Sequence, residues 1–180
     1  MPGLLEGRRA AVLLAEGFED LEFWVPLMRL REEGAGVTVA ALQPKTPIRG
    51  KNGLVTQADV GIEDLNANEL DAVLVPGGWA PDKLRRYASV TSLVKETNAR
   101  GAIVGLICHA GLVGISAGVV SGGRATGSLG IKDDLVNAGA TWVDEPAFRE
   151  GNIVWGRVVE DIPDYCRELI RAIGANTRSA

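Results

Sequence analysis

A cysteine and the chain's one histidine stand side by side in the sequence, as Cys108-His109. They follow the apolar run 102–107, which is typical of a buried strand, and precede a helical pattern that starts at Leu112. A side chain on such a strand-to-helix turn is exposed above the sheet, and the helix N-terminus behind it favours an anion. The thiolate is the nucleophilic form of cysteine. We therefore predict a reactive Cys108 whose pKa lies about 2 units below the free value of about 8.5.

General packing behaviour offers alternatives for both residues. A free cysteine is among the most buried residue types, so Cys108 could be a core residue, as we expect for Cys166 in the closing helix. Adjacent side chains at a sharp turn point in different directions, so His109 could be structural or serve through its backbone N–H. Backbone N–H groups at such a turn can also hold an oxyanion. The turn at Cys108 is the first candidate for a catalytic centre.

The acidic segment Gly17-Phe-Glu-Asp-Leu-Glu22 follows the first apolar run and opens a helix. Acidic residues in a first helical turn often complement the helix dipole, and Glu19 and Asp20 fit that role. Glu22 lies further along and could face the strand ends instead. A carboxyl buried beside a thiolate would stay protonated and donate a hydrogen bond to the sulfur. The spacing alone leaves open whether Glu22 takes that role.

A third candidate is Pro76-Gly77-Gly78, which ends another apolar strand. Two glycines let a backbone approach a ligand closely, although an ordinary tight turn has the same composition. Trp79 beside them could wall a pocket or an interface, or belong to the core. No Gly-x-Gly-x-x-Gly follows any predicted strand, so the sequence lacks a dinucleotide-binding fingerprint and we predict no cofactor.

Short apolar runs alternate with helical patterns along the chain, which predicts an α/β fold. The predicted strands are residues 10–15, 37–42, 70–75, 102–107, 142–143 and 152–155. The predicted helices are residues 23–33, 82–100 in two pieces, 112–120, 132–138 and 163–173. Lys51-Asn-Gly53 predicts a hairpin turn. Such alternation forms a mostly parallel central sheet with helices on both faces, and ligands bind at the carboxyl ends of its strands.

Composition excludes several classes of function. The 180 residues carry 19 Lys+Arg against 23 Asp+Glu, and this net charge of −4 gives no reason to bind nucleic acid or an anionic membrane. Two cysteines and one histidine are too few for the usual zinc ligand sets, so we predict no metal site. Without a disulfide framework or an apolar leader, the protein is expected in the cytoplasm.

One uncharged stretch could be mistaken for a membrane-spanning helix. Residues 101–123 carry no charged side chain and are long enough to span a bilayer. Their seven glycines and the break at Cys108-His109 favour a buried strand and helix over a membrane helix. No linker or repeat divides the chain, so we predict a single domain over residues 1–180.

Together these segments make the sequence similar to the ThiJ/PfpI superfamily of intracellular cysteine proteases and protein deglycases. The resemblance runs from about Arg8 to Ala172. It is carried by Gly17-Phe-Glu-Asp-Leu-Glu22, Val75-Pro-Gly-Gly78 with Ala80-Pro81, Ile107-Cys-His109, Ser116-Ala-Gly118, Ile131-Lys-Asp-Asp134 through Asn137-Ala-Gly139, and Trp142-Val-Asp144. The resemblance implies a flavodoxin-like sandwich, of the class I glutamine amidotransferase-like type, with Cys108 in a nucleophile elbow.

The resemblance also implies roles for single residues. Cys108 would be the nucleophile, His109 its partner and Glu22 the carboxyl that touches the thiol. In PfpI-type proteases a Glu just after the Gly-Gly-x-x-Pro turn reaches the His from a neighbouring subunit. The matching residue here is Asp82, which is one methylene shorter. A homodimer or homohexamer is implied in the same way.

The implied oxyanion and binding residues are Gly77, Gly78, Trp79, Ala110 and Ser128, with the His109 backbone beside Gly78. The sequence departs from the family pattern in this pocket wall. The usual Cys-His-Gly-Pro is Cys-His-Ala110-Gly111 here, and Ser128 stands where a Tyr is usual. These changes keep the nucleophile and leave the substrate open.

The first functional hypothesis is a cysteine-dependent hydrolase or lyase for small reactive carbonyl or amide substrates, such as a deglycase or a cofactor-free glyoxalase. The alternatives are an intracellular oligomeric cysteine peptidase, and a non-enzymatic redox sensor or stress-response chaperone with an oxidisable Cys108. A glutamine amidotransferase needs a His well downstream of the Cys, and the chain has none. Aldehydes are favoured over peptides because thiolate addition needs only oxyanion donors, whereas amide cleavage also needs a general acid.

Overall fold

The computed structural model describes residues 3–176, in which strands and helices alternate. The strands are β1 (Arg9–Leu14), β2 (Gly36–Ala41), β3 (Ile48–Arg49), β4 (Val55–Thr56), β5 (Val60–Gly61), β6 (Ala72–Val75), β7 (Ile103–Ile107), β8 (Arg124–Ala125), β9 (Thr141–Trp142), β10 (Ala147–Glu150) and β11 (Ile153–Gly156). The helices are α1 (Asp20–Glu32), α2 (Ala80–Leu84), α3 (Ala88–Ala99), α4 (Gly111–Ser116), α5 (Lys132–Asn137) and α6 (Ile162–Ala175). The predicted domain also includes residues 1–2 and 177–180, which lie outside the described residues.

Seven strands form the central sheet, in the order β10-β11-β7-β6-β1-β2-β5. Every neighbouring pair is parallel except the edge pair of β10 and β11. We expected β7 to be central because it is the most apolar run. It is an inner strand with a parallel neighbour on each side, while β6 occupies the middle position. From β1 the strand order continues in both directions across the sheet, so the order reverses beside β1. Such sheets bind ligands at the carboxyl ends of the strands at this reversal, which here are the ends of β1 and β6.

Helices cover both faces of the sheet, which explains why its inner strands are apolar throughout. α1 and α6 contact each other, and α6 also contacts β7 and β11. α3 contacts β6, β7 and α4. All residues of β6 and β7 are buried as a result. Within residues 3–176, no helix combines the length and the apolar character needed to cross a membrane.

The observed elements differ from the predicted ones at a few places. α4 ends at Ser116 instead of Val120, because Gly118 turns the chain with φ +70. α1 begins at Asp20, before the predicted Phe23, because the Glu19 side chain caps the helix. The edge strand β10 was not predicted, since its residues Ala147-Phe-Arg-Glu150 include two charges and no sustained alternation.

Helix α6 can pack closely on β7 because Gly105 has no side chain. A methyl group there would lie 2.5 Å from Tyr165 Oη and 2.9 Å from Leu169 Cδ2, and both of these residues are buried. Gly105→Ala is therefore expected to lower the free energy of unfolding by about 1–3 kcal/mol in urea titrations. Gly36→Ala is the matched control, because its methyl group would meet only Arg8 O at 3.7 Å. Equal losses in the two variants would contradict this account of the packing.

Candidate active site

Cys108 lies directly after β7 and is the first residue of a short 3-10 turn (Cys108–Ala110) that leads into α4. Its backbone has φ +60, in the left-handed region that non-glycine residues rarely occupy. The Ser128 N–H donates a hydrogen bond to the Cys108 carbonyl at 3.1 Å and helps to hold this conformation. Strained backbone of this kind clusters at functional sites.

The side chains of Cys108 and His109 contact each other although they are adjacent in the sequence. Cys108 Sγ lies 3.2 Å from His109 Nδ1, so the expectation that the two side chains point apart is wrong. Burial lowers the pKa of His109, and the positive charge of Lys51 lowers it further. His109 is therefore largely neutral at pH 7, and an unprotonated ring nitrogen can accept the thiol proton.

Glu22 is buried in the first turn of α1, with 2% of its surface exposed. Its Oε2 accepts a hydrogen bond from the Gly77 N–H at 2.7 Å. Its Oε1 is buried and has no hydrogen bond of normal geometry within residues 3–176. Burial raises the pKa of Glu22 to about 7, while the Gly77 hydrogen bond opposes the rise and the nearby charge of Glu19 adds to it. A carboxyl that titrates near pH 7 is able to take up and release a proton under ordinary conditions.

Gly77 lies between the carboxyl and the thiol. A Cβ atom on Gly77 would lie 2.4 Å from Glu22 Oε2, 2.6 Å from Cys108 Cβ and 3.0 Å from Cys108 Sγ. Carboxyl and sulfur are thus both in contact with the same small residue. Any side chain at this position would push them apart, so glycine is required for the arrangement.

Gly78 lets the loops after β1 and β6 join by backbone hydrogen bonds. It has φ +78, and a Cβ on it would lie 2.5 Å from Glu19 N and from Gly17 O. The Glu19 N–H donates to Gly77 O at 3.0 Å, and the Trp79 N–H donates to Gly17 O at 2.8 Å. This short ladder fixes the start of α1, and with it Glu22, against the turn that follows β6.

Burial, the negative charge of Glu22 and the contact with that carboxyl raise the pKa of the Cys108 thiol to about 12. The prediction of a lowered pKa is therefore wrong while Glu22 is ionised. The N–H groups of Gly78 and His109 act in the opposite direction by donating to the sulfur. When Glu22 is protonated, the contributions of its carboxylate disappear, and burial alone opposes those donors. A thiolate at Cys108 is thus compatible only with a neutral Glu22.

A cavity of about 310 Å³, which we call the Cys108 cavity, opens above these residues. Its volume is at the lower end for ligand sites and suits a small molecule. It is lined by Glu19, Lys51, Gly78, Trp79, Cys108, His109, Ser128, Val158, Val159 and Glu160. A second cavity of about 280 Å³, at the ends of β1 and β2, contains neither Cys108 nor His109. The Cys108 cavity is therefore the candidate active site.

The structure brings together most of the residues predicted for the site. Among the predicted oxyanion and binding residues, Gly78, Trp79 and Ser128 line the Cys108 cavity. Gly77 does not line it but holds the Glu22 carboxyl. Ala110 does not line it either, because it is fully buried in the core.

Asp82 does not line the Cys108 cavity of its own chain. It lies on the exposed side of α2 and forms an ion pair with Arg86. Within residues 3–176, no carboxylate forms an ion pair with His109. An interaction of Asp82 with His109 of a second chain stays a prediction.

Lys51 was not predicted as part of the cavity wall, and Glu19 was predicted only as a helix-dipole residue. Residues 158–160 also line the cavity, and they follow the carboxyl end of β11, where such sheets bind ligands. Lys51 had no such signal, because its hairpin reaches the cavity from outside the central sheet. In the described part of the chain, no group of three His, Cys, Asp or Glu side chains could hold a metal ion.

Residues 8–172 match the DJ-1/PfpI family. The chain belongs to this family. Two relatives are a protein named deglycase from Pyrococcus abyssi, 39% identical over 92% of this chain and 99% of its own length, and one named deglycase PfpI from Pyrococcus furiosus, 36% identical over 89% and 96%. A Bacillus subtilis protein named "Putative cysteine protease YraA" is 32% identical over 92% of this chain and 98% of its own length. The resemblance inferred from the motifs is confirmed.

Solved structures confirm the predicted flavodoxin-like α/β sandwich of this DJ-1/PfpI chain. A two-domain protein from Anabaena variabilis, described as containing DJ-1/ThiJ/PfpI-like and ferritin-like domains, matches 93% of this chain with a TM-score of 0.91 and 34% identity. The match covers 48% of that longer chain. Drosophila melanogaster DJ-1beta matches 94% of this chain and 91% of its own, with a TM-score of 0.88 and 25% identity.

The pairing of Glu22 with Cys108 can be tested by alkylation. Glu22→Gln removes the negative charge, so we expect the pKa of Cys108 to fall and its iodoacetamide alkylation at pH 8 to accelerate by at least about tenfold, which is one pKa unit. Mass spectrometry of the two cysteine peptides measures this rate. Cys166 serves as the internal control, because it is 3% exposed and burial raises its pKa to about 11.

The opposite result would also be informative. Slower alkylation of Cys108 in Glu22→Gln would mean that protonated Glu22 donates a hydrogen bond to the sulfur and stabilises the thiolate, which is the role considered for Glu22 from the sequence. Cys166 should stay the slower of the two cysteines in both proteins.

Proposed function

We propose that this chain is a cysteine-dependent enzyme for small reactive carbonyl compounds, with Cys108 as the nucleophile in a nucleophile elbow. The observation that carries the proposal is the 3.2 Å contact between Cys108 Sγ and His109 Nδ1, at a left-handed turn that opens into a cavity of about 310 Å³. The names of the two Pyrococcus deglycases support the same class of chemistry.

The residues of the site can carry the addition step. The Cys108 thiol gives its proton to His109 Nδ1, and the sulfur forms a bond to the carbonyl carbon of the substrate. The carbonyl oxygen becomes an alkoxide that accepts hydrogen bonds from the N–H groups of Gly78 and His109. Protonated Glu22 leaves no carboxylate charge beside the reacting sulfur.

Two routes pass through this adduct. In a deglycase, the attacked carbon also carries the amine of a glycated compound, and its C–N bond breaks as the amine leaves with the proton that His109 received. The adduct then follows the same later steps as in a glyoxalase. In a cofactor-free glyoxalase, the carbon bonded to sulfur passes a hydride to the neighbouring carbonyl carbon of the substrate, which gives a thioester. Water then hydrolyses the thioester to a 2-hydroxy acid and restores Cys108. Neither route needs an external oxidant or reductant.

A cysteine peptidase is the second candidate, and the name of the Bacillus relative favours it. A peptidase must also protonate an amine leaving group, and a general acid typically supplies about 10²–10⁴-fold of that rate. His109 would have to be this acid, yet burial lowers its pKa and no carboxylate of the described residues forms an ion pair with it. We therefore rank carbonyl substrates above peptide amides.

Parallel assays on methylglyoxal and a fluorogenic peptide test this ranking. We expect methylglyoxal loss to exceed peptide hydrolysis, and both activities to disappear in Cys108→Ala. Cys166→Ala is the matched control and should keep the wild-type activity, provided that circular dichroism shows the same fold. Peptide cleavage without aldehyde turnover would reverse the ranking, and silence on both substrates would favour the redox sensor.

We further propose that a second chain completes the site. The Cys108 cavity has an imidazole without a carboxylate partner among residues 3–176, and Trp79 at its edge is 66% exposed. Exposed aromatic side chains are typical of interfaces. Asp82 of a neighbouring chain, three residues beyond Trp79, would supply the partner for His109, as in PfpI-type proteases.

Light scattering and kinetics test this assembly together. The protein is expected to be at least a dimer at micromolar concentration, and Asp82→Asn should lower kcat by about tenfold or more while the oligomer persists. Asp133→Asn, on exposed α5, is the matched control and should leave kcat unchanged. A fully active monomer would remove Asp82 from the site.

A further inference from the structure

The β3–β4 hairpin holds its turn firmly over the start of α1. The Asp20 carboxylate, which is 2% exposed, accepts the N–H groups of Asn52 and Leu54, each at 2.8 Å. Gly50 is required here, because a Cβ on it would lie 2.5 Å from that carboxylate. The turn is therefore fixed to the same helix start that carries Glu22.

Lys51 is the residue that this turn presents to the Cys108 cavity. Its N–H donates to Phe18 O at 2.8 Å, which fixes its backbone, and Lys51 lines the cavity together with Cys108 and His109. The charge of Lys51 lowers the pKa of both His109 and Glu22, as expected for an ammonium group close to both.

The Lys51 ammonium group has no counter-ion of its own in the described chain. It forms neither an ion pair nor a side-chain hydrogen bond with residues 3–176. The carboxylates that line the cavity beside Lys51 are those of Glu19 and Glu160. Each oxygen of Glu19 accepts a hydrogen bond, from the Glu22 N–H at 2.9 Å and from Asn52 Nδ2 at 2.8 Å, and Glu19 forms no ion pair with Lys51. Glu160 is exposed and forms no ion pair with Lys51.

We propose that Lys51 binds the negatively charged group of the substrate, so that the site prefers small carbonyl compounds that carry a carboxylate. The proposal rests on the proposed function, because it assumes that Cys108 attacks the carbonyl carbon of the same molecule. The N–H groups of Gly78 and His109 serve the carbonyl oxygen. The carboxylate then lies against Lys51, a point charge suited to a single anionic group. A cavity of about 310 Å³ holds such a molecule.

Two alkylating reagents of nearly equal size test the charge preference without any turnover. Iodoacetate and iodoacetamide bring the same reactive carbon to Cys108, but the first carries a carboxylate and the second a neutral amide. The ratio of their rates cancels changes in the reactivity of the thiol itself. We expect Lys51→Met to lower the iodoacetate to iodoacetamide ratio by about 3- to 5-fold, which corresponds to one solvent-screened ion contact.

Two further variants complete the test. Lys51→Arg keeps the charge and should keep the wild-type ratio within about twofold. Lys95→Met makes the same charge change at an exposed position of α3, away from the cavity, and should leave the ratio unchanged. The anion site is refuted by an unchanged ratio in Lys51→Met, or by an equal decrease in Lys95→Met.

Reversible aldehydes give an independent measure. Glyoxylate should protect Cys108 from iodoacetamide at lower concentration than neutral glyoxal, and this preference should disappear in Lys51→Met. Turnover of methylglyoxal without a preference for glyoxylate over glyoxal would support the proposed function and contradict the anion site. A preference for glyoxylate over glyoxal in a protein that turns over neither methylglyoxal nor glyoxylate would support the anion site and contradict the proposed function.

Discussion

The hydrogen bond from the Gly77 N–H to the Glu22 carboxyl is the contact on which the site depends. It is 2.7 Å long and joins the turn after β6 to the helix that follows β1. Cys108, at the end of β7, packs on the same glycine. Since β7, β6 and β1 are consecutive neighbours in the sheet, three adjacent strand ends meet at one small residue. Thiol, carboxyl and backbone donors are held together there by their contacts with Gly77 and its neighbour Gly78.

This contact decides how charge is distributed in the site. Two acidic groups, the buried Glu22 carboxyl and the half-buried Cys108 thiol, lie near each other. A second negative charge in such a place is costly, so the two groups cannot both ionise near neutral pH. The loss of one proton leaves either a carboxylate with a thiol or a neutral carboxyl with a thiolate. The N–H donors of Gly78 and His109 favour the thiolate, and the hydrogen bond from Gly77 favours the carboxylate.

The fold and the position of the site follow from local patterns in the sequence. The apolar runs that became β1, β6 and β7 predict buried parallel strands, and the rule on carboxyl ends places Glu22, Gly78 and Cys108 together. The predicted lowering of the Cys108 pKa is wrong because the causes of the shift cannot be read from the sequence pattern. The helix behind Cys108 is a 3-10 turn and the six-residue α4, so its dipole is small, while burial and the Glu22 charge depend on tertiary packing.

Lys51 was missed for a related reason. A Lys-Asn-Gly turn predicts a hairpin but not the surface on which the hairpin lies. That surface is defined by Asp20, which looks like an ordinary helix-dipole residue in the sequence. Its two 2.8 Å bonds to the turn connect elements more than 30 residues apart. No periodic pattern marks such a contact, because it depends on single polar groups and not on repeated apolar positions.

The three acidic residues at the start of α1 therefore serve three different purposes. Glu19 caps the helix and binds Asn52, Asp20 holds the hairpin turn, and Glu22 faces the thiol. Each carboxyl accepts at least one hydrogen bond from a neutral N–H donor, and none of the three forms an ion pair with a cation of residues 3–176. This explains how Lys51 can lie beside two acidic groups, Glu19 and Glu22, and still keep its charge unpaired. Each oxygen of Glu19 accepts a hydrogen bond from a neutral donor, and Glu22 loses its charge on protonation. The Lys51 ammonium group is thus left for an anionic group of a ligand, although Glu19 and Glu160 also line the cavity. Neutral Glu22 does not make the cavity more positive when Cys108 is a thiolate, because the same single negative charge then lies on the sulfur.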